Sequence, residues 1–129
     1  MKNDETGFSL VEILLAITII GLVAAAAVPK AAHVLAVSRT QRVVSDLQTL
    51  DAAVVMYETE HGKQPTGTDI SVLSDYVQNV DKVKPPEGST VIVGSSEEKV
   101  TAKAYTLTSS DKEGVRATLG THTAEDFLP

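Results

Sequence analysis

The ionisable residue in the most unusual setting in this sequence is Glu12. It stands near the head of a long apolar stretch, four residues after Phe8 and five after Gly7. A carboxylate on a membrane-spanning helix costs of order 2.5–3.5 kcal/mol at the bilayer centre and less near an end, so its partner has to be named. Near a helix terminus it can reach the headgroups; otherwise it needs a cation, and the chemistry on offer is charge pairing rather than bond making. The other reactive side chains are poorly placed for catalysis. His33, His61 and His122 are far apart and lack the spacing of a zinc site. The absence of cysteine removes disulfides, thiolate ligands and a thiol nucleophile, and leaves the redox compartment undetermined. No serine sits in a nucleophile elbow, and the glycines are isolated rather than gathered into a phosphate loop. The chain reads as a protein without catalytic activity.

The element that must position Glu12 is the apolar stretch itself. Residues 13–28 read ILLAITIIGLVAAAAV, with no charge and Thr18 as the sole hydroxyl. The 21 residues from Phe8 to Val28 make a helix about 31 Å long, close to the roughly 30 Å of hydrocarbon in a bilayer. A cleaved secretory signal has a basic head, a shorter apolar run and a small-residue cleavage site, which Ala24-Ala25-Ala26-Ala27 supplies. Against that reading, the leader MKNDETG has one lysine against two acids, and Glu12 interrupts the run.

The string Gly7-Phe8-Ser9-Leu10-Val11-Glu12, placed after a short polar leader and before an apolar helix with Pro29 at its end, resembles the processing site of type IV prepilins and type II secretion pseudopilins. The leader is less basic than is usual there, and Ser9 stands where threonine is commoner. The resemblance implies that a prepilin peptidase cuts after Gly7 and methylates the new amine of Phe8; removing seven residues from 129 leaves a mature chain of 122. It implies a leader at 1–7, a transmembrane and filament-core helix at 8–29, and an extracytoplasmic head at 30–129. It also implies a single pass through the cytoplasmic membrane with the N-terminus inside. The expected partners are further copies of the chain, other pilins or pseudopilins, the prepilin peptidase and an inner-membrane assembly platform. Within a filament of parallel staggered helices, the Phe8 amine of one subunit pairs with Glu12 of its neighbour, so that each charge is matched across the interface and register is set. The distribution of basic residues opposes this orientation: Lys2 and the initial amine on one side face Lys30, Arg39 and Arg42 on the other, which by itself places the C-terminal side in the cytoplasm.

Beyond the apolar run, Ala36, Val43, Leu47, Leu50, Val54 and Tyr57 recur at helical steps, while Gln41, Arg42, Asp46, Gln48 and Glu58 fall off the stripe. One nearly continuous helix over 8–57, about 75 Å long, is the expectation, with Gly21 and Pro29 as sites of a kink or local melting. Gly62 ends it and Pro65 prevents its resumption. The segment Asp46-Leu-Gln-Thr-Leu-Asp51, with Tyr57, Gly62 and Pro65-Thr66, is similar to the same stretch of major type II secretion pseudopilins. A short helix is predicted over Asp69–Val80, capped by Thr68, with Ile70, Leu73, Val77 and Val80 on one face. Lys84-Pro85-Pro86-Glu87-Gly88 then breaks the chain. Strands are predicted at Thr90–Val93, Val100–Leu107 and Val115–Leu119, joined by polar turns at 94–98 and 109–114 into an antiparallel meander. The fold class is α+β: a long N-terminal helix, membrane-spanning in its first half and amphipathic in its second, packed on a small antiparallel sheet.

Composition fits one domain plus a segment outside its core. Aromatics are 4% and tryptophan is absent, so Val, Leu, Ile and Ala must build a thin core that gains from a long supporting helix. The net charge is −6 with signs interspersed, and no basic stripe marks a nucleic-acid partner. Major pseudopilins often bind calcium through an acidic, glycine-rich loop near the C-terminus. The candidates here are Asp111 and Glu113 with Ser110, or Glu125 and Asp126. The loop is not glycine-rich and calcium wants six to eight oxygens, so no cofactor is the expectation. The function these features imply is a structural subunit that polymerises through its N-terminal helix into a secretion pseudopilus or a type IV pilus-like filament. The rival is a signal-cleaved or membrane-tethered extracytoplasmic binding module.

Overall fold

A computed structural model describes residues 7–128. Of the expected leader, residues 1–6 lie outside the described residues. The chain divides between Leu35 and Ala36 into two compact units.

Helix α1 runs from Leu10 to His61. In the first unit every described residue from Gly7 to Leu35 is exposed. The helix is long and apolar enough there to cross a membrane. The Thr18 hydroxyl donates to the Leu14 carbonyl at 2.7 Å, so the one polar side chain of the run satisfies itself within the helix. α1 stays helical through Gly21 and Pro29 rather than melting there. Pro29 merely leaves the Ala25 carbonyl without its i+4 donor.

In the second unit the expected stripe of α1 turns inward. Ala36, Val43, Leu47, Leu50 and Val54 are buried, with Thr40, Val44 and Ala53 beside them, and Tyr57 packs at the margin. The helix closes where the Gly62 amide donates to the Glu58 carbonyl at 2.8 Å and Gly62 takes a φ of 66°.

The segment after the loop departs from the expected helix at Asp69–Val80. Two single turns of 3₁₀ helix form instead, at Ile70–Leu73 and Val80–Lys82. The cap is Asp69, not Thr68: its carboxylate accepts the Ser71 amide at 2.8 Å, which holds its pKa below the ordinary value. That contact favours the turn above the ordinary carboxylate range and is lost as pH falls through the lowered folded value. Thr68 is committed elsewhere, because its carbonyl accepts the Leu107 amide at 2.9 Å and Asp69 bridges to Thr106. The apolar periodicity was sound, since Ile70, Leu73, Val77 and Val80 are all buried.

The sheet is likewise two hairpins rather than one meander. β1 (Thr90–Val93) pairs antiparallel with β2 (Ser96–Lys99), and β3 (Thr106–Ser110) with β4 (Gly114–Thr118). The segment 94–98 expected to be a turn is therefore mostly a strand, with only Gly94-Ser95 turning the chain. The predicted strand at Val100–Leu107 shrinks to its end, because Val100 is drawn off to exchange hydrogen bonds with Gly88 and Ser89. Gly114 closes the second hairpin at a φ of 75°, and a Cβ there would overlap the Gln64 side chain. Gly114→Ala is expected to cost about 1 kcal/mol or more, seen as a lower melting temperature.

The hairpins are tied to α1 by polar clasps at the edge of the stripe. Thr40 Oγ1 accepts the Ile92 amide at 2.8 Å. Asp46 accepts from the Tyr105 hydroxyl at 2.8 Å; burial and that bond push the phenol well above its usual range. Asp51 accepts the Ala117 amide at 2.7 Å and Arg116 Nε at 3.1 Å. Between them lies the core, with Leu47, Leu50, Leu73, Tyr105 and Leu107 all but fully buried.

Candidate functional site

The head of α1 is built by a reciprocal cap. Ser9 precedes the first helical residue, and its Oγ accepts the Glu12 amide at 3.2 Å. Glu12 Oε2 in return accepts the Ser9 amide at 2.7 Å. This is the Ser-x-x-Glu capping box, in which two of the four free N–H groups of a helix start find acceptors. A carboxylate in the first turn also sits favourably on the helix dipole. The fold thus gives Glu12 an intramolecular task that sequence reading missed, although the S-x-x-E spacing before an apolar run was there to be seen. The Ser9 amide lies one residue beyond the Gly7–Phe8 bond, so cleavage at that bond leaves the box whole.

Phe8 is 86% exposed. With Glu12, Ile13, Ala16 and Ile17 it lines a shallow apolar groove. Gly7 and Phe8 precede the helix in irregular backbone, which leaves the bond between them outside α1's hydrogen-bond ladder. Ser9→Ala is expected to loosen the first turn by about 1 kcal/mol, and Ser9→Thr to restore it. Amide exchange at Glu12 in detergent micelles, roughly fivefold faster in Ser9→Ala alone, reads this directly.

The remaining candidates are dispersed. His61 stacks on Tyr57 at 4.2 Å and lies edge-on to Tyr76. The Tyr76 hydroxyl donates to Glu60, which with partial burial raises the phenol to about 12. His122 faces Glu98 at 3.4 Å, and His33 is in the first unit. Three of the acids considered for calcium, Glu113, Glu125 and Asp126, have internal uses, while Asp111 lies exposed in the turn between β3 and β4. Glu113 and Glu125 accept from Arg116 at 3.3 and 3.2 Å, and Asp126 accepts the Thr123 amide at 2.7 Å. Burial works against the Arg116 charge, but Asp51 and Glu125 outweigh it and hold the guanidinium pKa above its usual value. Among the described residues no group of three or more His, Asp or Glu is placed to hold a metal ion. Asp46, which falls off the apolar stripe, and Asp51, noted only as part of a resemblance, are two of the fold's clasps. Their signal was adjacency, since each borders a fully buried leucine, Leu47 or Leu50.

An exposed apolar helix start bearing a capped glutamate, on a helix whose second half packs on small antiparallel sheets, is an α+β arrangement consistent with the type IV pilin fold. Known proteins agree. The Prokaryotic N-terminal methylation motif matches residues 2–28. Type II secretion system core protein G of Klebsiella michiganensis is 34% identical over 65 residues, covering 50% of this chain and 46% of that protein. The core protein G of Aeromonas hydrophila is 32% identical over 65 residues, with the same shares of 50% and 46%. The type IV major fimbrial protein FimA of Dichelobacter nodosus aligns over all 129 residues at 26% identity, covering 80% of its length. The chain thus spans about half the length of the secretion proteins it matches. No solved structure matches it. These findings support a type IV pilin-like, pseudopilin-like protein.

Proposed function

We propose that the chain is a non-catalytic structural subunit of a secretion pseudopilus or type IV pilus-like filament, anchored in the cytoplasmic membrane by its N-terminal helix before assembly. Processing between Gly7 and Phe8 exposes an amine one turn from Glu12, and the two charges pair between neighbouring copies. The observation that carries this reading is the first unit: an apolar helix with every described residue exposed, headed by the methylation motif. Such a surface needs lipid before assembly and other helices after it. The orientation, N-terminus in the cytoplasm and second unit outside, follows from where the peptidase must reach Gly7; it overrides the opposing charge of Lys30, Arg39 and Arg42.

The test is expression with a prepilin peptidase and an assembly platform, followed by shearing and electron microscopy with an antibody to the second unit. Labelled filaments are the expected result. A processed chain that stays in the membrane fraction, with no filament under any expression level, contradicts it. Deleting the gene in the host then separates the two filament types, since one loss stops protein export and the other removes surface fibres.

A further inference from the structure

The stretch that follows β2 has the side-chain pattern of a strand but no strand beside it. Val100 is buried, Thr101 exposed, Ala102 packed against the core and Lys103 exposed, an alternation of period two. Val100 commits its own backbone to Gly88 and Ser89. Among the described residues, the backbone N–H and C=O groups of Thr101 and Ala102 enter no hydrogen bond. These two residues also wall a cavity of about 230 Å³ in the second unit. Its floor is apolar, formed by Val91, Val100, Leu119 and Phe127, all of them buried. Its mouth is polar, framed by Thr101, Thr121 and the Glu98–His122 pair.

We propose that this edge and cavity dock an extended segment of another protein, added as a strand beside Thr101–Ala102 with one apolar side chain in the cavity. In strand addition, main-chain hydrogen bonds supply affinity and pockets for alternate side chains supply specificity. Both parts stand side by side here: unpaired backbone along the wall, and an apolar floor within reach of it. The volume selects the occupant. Sites for whole small ligands run to about 300–1,000 Å³, so this smaller cavity suits a single leucine, isoleucine or phenylalanine side chain. A second copy of the chain does not supply it. Its strands are already paired, β1 with β2 and β3 with β4, and its own copy of this edge exposes Thr101 and Lys103, neither apolar. The alternation that predicts a strand over Val100–Leu107 is thus completed at its start by a partner rather than within the chain. No residue of α1 lines the cavity, so the site is independent of the filament reading.

The probe is the peptide Lys-Thr-Val-Thr-Phe-Thr-Val-Thr-Lys, with leucine and isoleucine versions of the central residue, titrated into the isotope-labelled full chain in detergent micelles. At least one version is expected to bind and to slow amide exchange at Thr101 or Ala102 about tenfold or more, leaving Lys112 unchanged. Aspartate at the centre is expected to weaken binding about tenfold or more, because a charge then enters an apolar floor. N-methylation of the peptide amides on one of its two edges is expected to do the same, which a merely greasy contact would not show. No binding by any version at about 1 mM peptide overturns the proposal, as does binding that leaves exchange at both amides unchanged. The same protection, produced by raising the concentration of the chain alone, makes the occupant a second copy and also overturns it. Each of these results leaves the filament reading standing.

Discussion

Glu12→Ala is expected to leave membrane insertion intact and to lower filament yield at least tenfold at wild-type subunit levels. In the proposed pairing the substitution strips the partner from a neighbour's Phe8 amine, and an unpaired charge at a dry interface costs about 3–5 kcal/mol. It also breaks the capping box with Ser9, so alanine alone cannot tell the two losses apart. Glu12→Gln can. Glutamine still closes a capping box but carries no charge. If pairing drives assembly, glutamine fails as badly as alanine. If capping is the whole role, glutamine assembles like wild type, and the intersubunit pair is refuted. Insertion is insensitive in either case, because removing the one acid from the run only makes it more apolar.

Leu47→Ala is expected to be the most damaging single truncation in the second unit. Leu47 has no exposed surface and lies between the Asp46 and Asp51 clasps, which tie α1 to Tyr105 and to the second hairpin. Removing a leucine side chain from such a site costs about 2–5 kcal/mol. Against a total stability of roughly 5–15 kcal/mol for a small domain, that lowers the melting temperature by about 10 °C or more. Met56→Ala, at an exposed position on the same helix, is the matched control and should melt with the wild type. Equal melting of the two variants would mean that the stripe is not the core of this unit.

The helix and its two environments were legible because α-helical periodicity is local. Every residue of the stripe from Ala36 to Val54 is where the 3.6-residue repeat puts it. The Gly7–Glu12 motif was legible for the same reason, being contiguous. The pieces that were not legible depend on competition between distant backbone groups. Asp69–Val80 has a helix's apolar spacing, but the Thr68 carbonyl is taken by Leu107 and Asp69 is left to cap a single turn. β2 has the sequence Ser-Glu-Glu-Lys and is exposed at every position, so neither alternation nor β-branching announced it. Only the Gly94-Ser95 pair hinted at a two-residue hairpin. Nothing local to Asp46 or Asp51 names a partner; their role emerges only once Tyr105, Arg116 and Ala117 arrive from some sixty residues away.

What most directly decides whether this helix is the core of a filament is the mass of the mature chain's N-terminal peptide, taken from membranes of cells that carry the prepilin peptidase. The expected species begins at Phe8 and is one methyl group heavier than its sequence. A peptide still beginning at Met1, or a chain starting near Pro29 with the apolar segment gone, would contradict it.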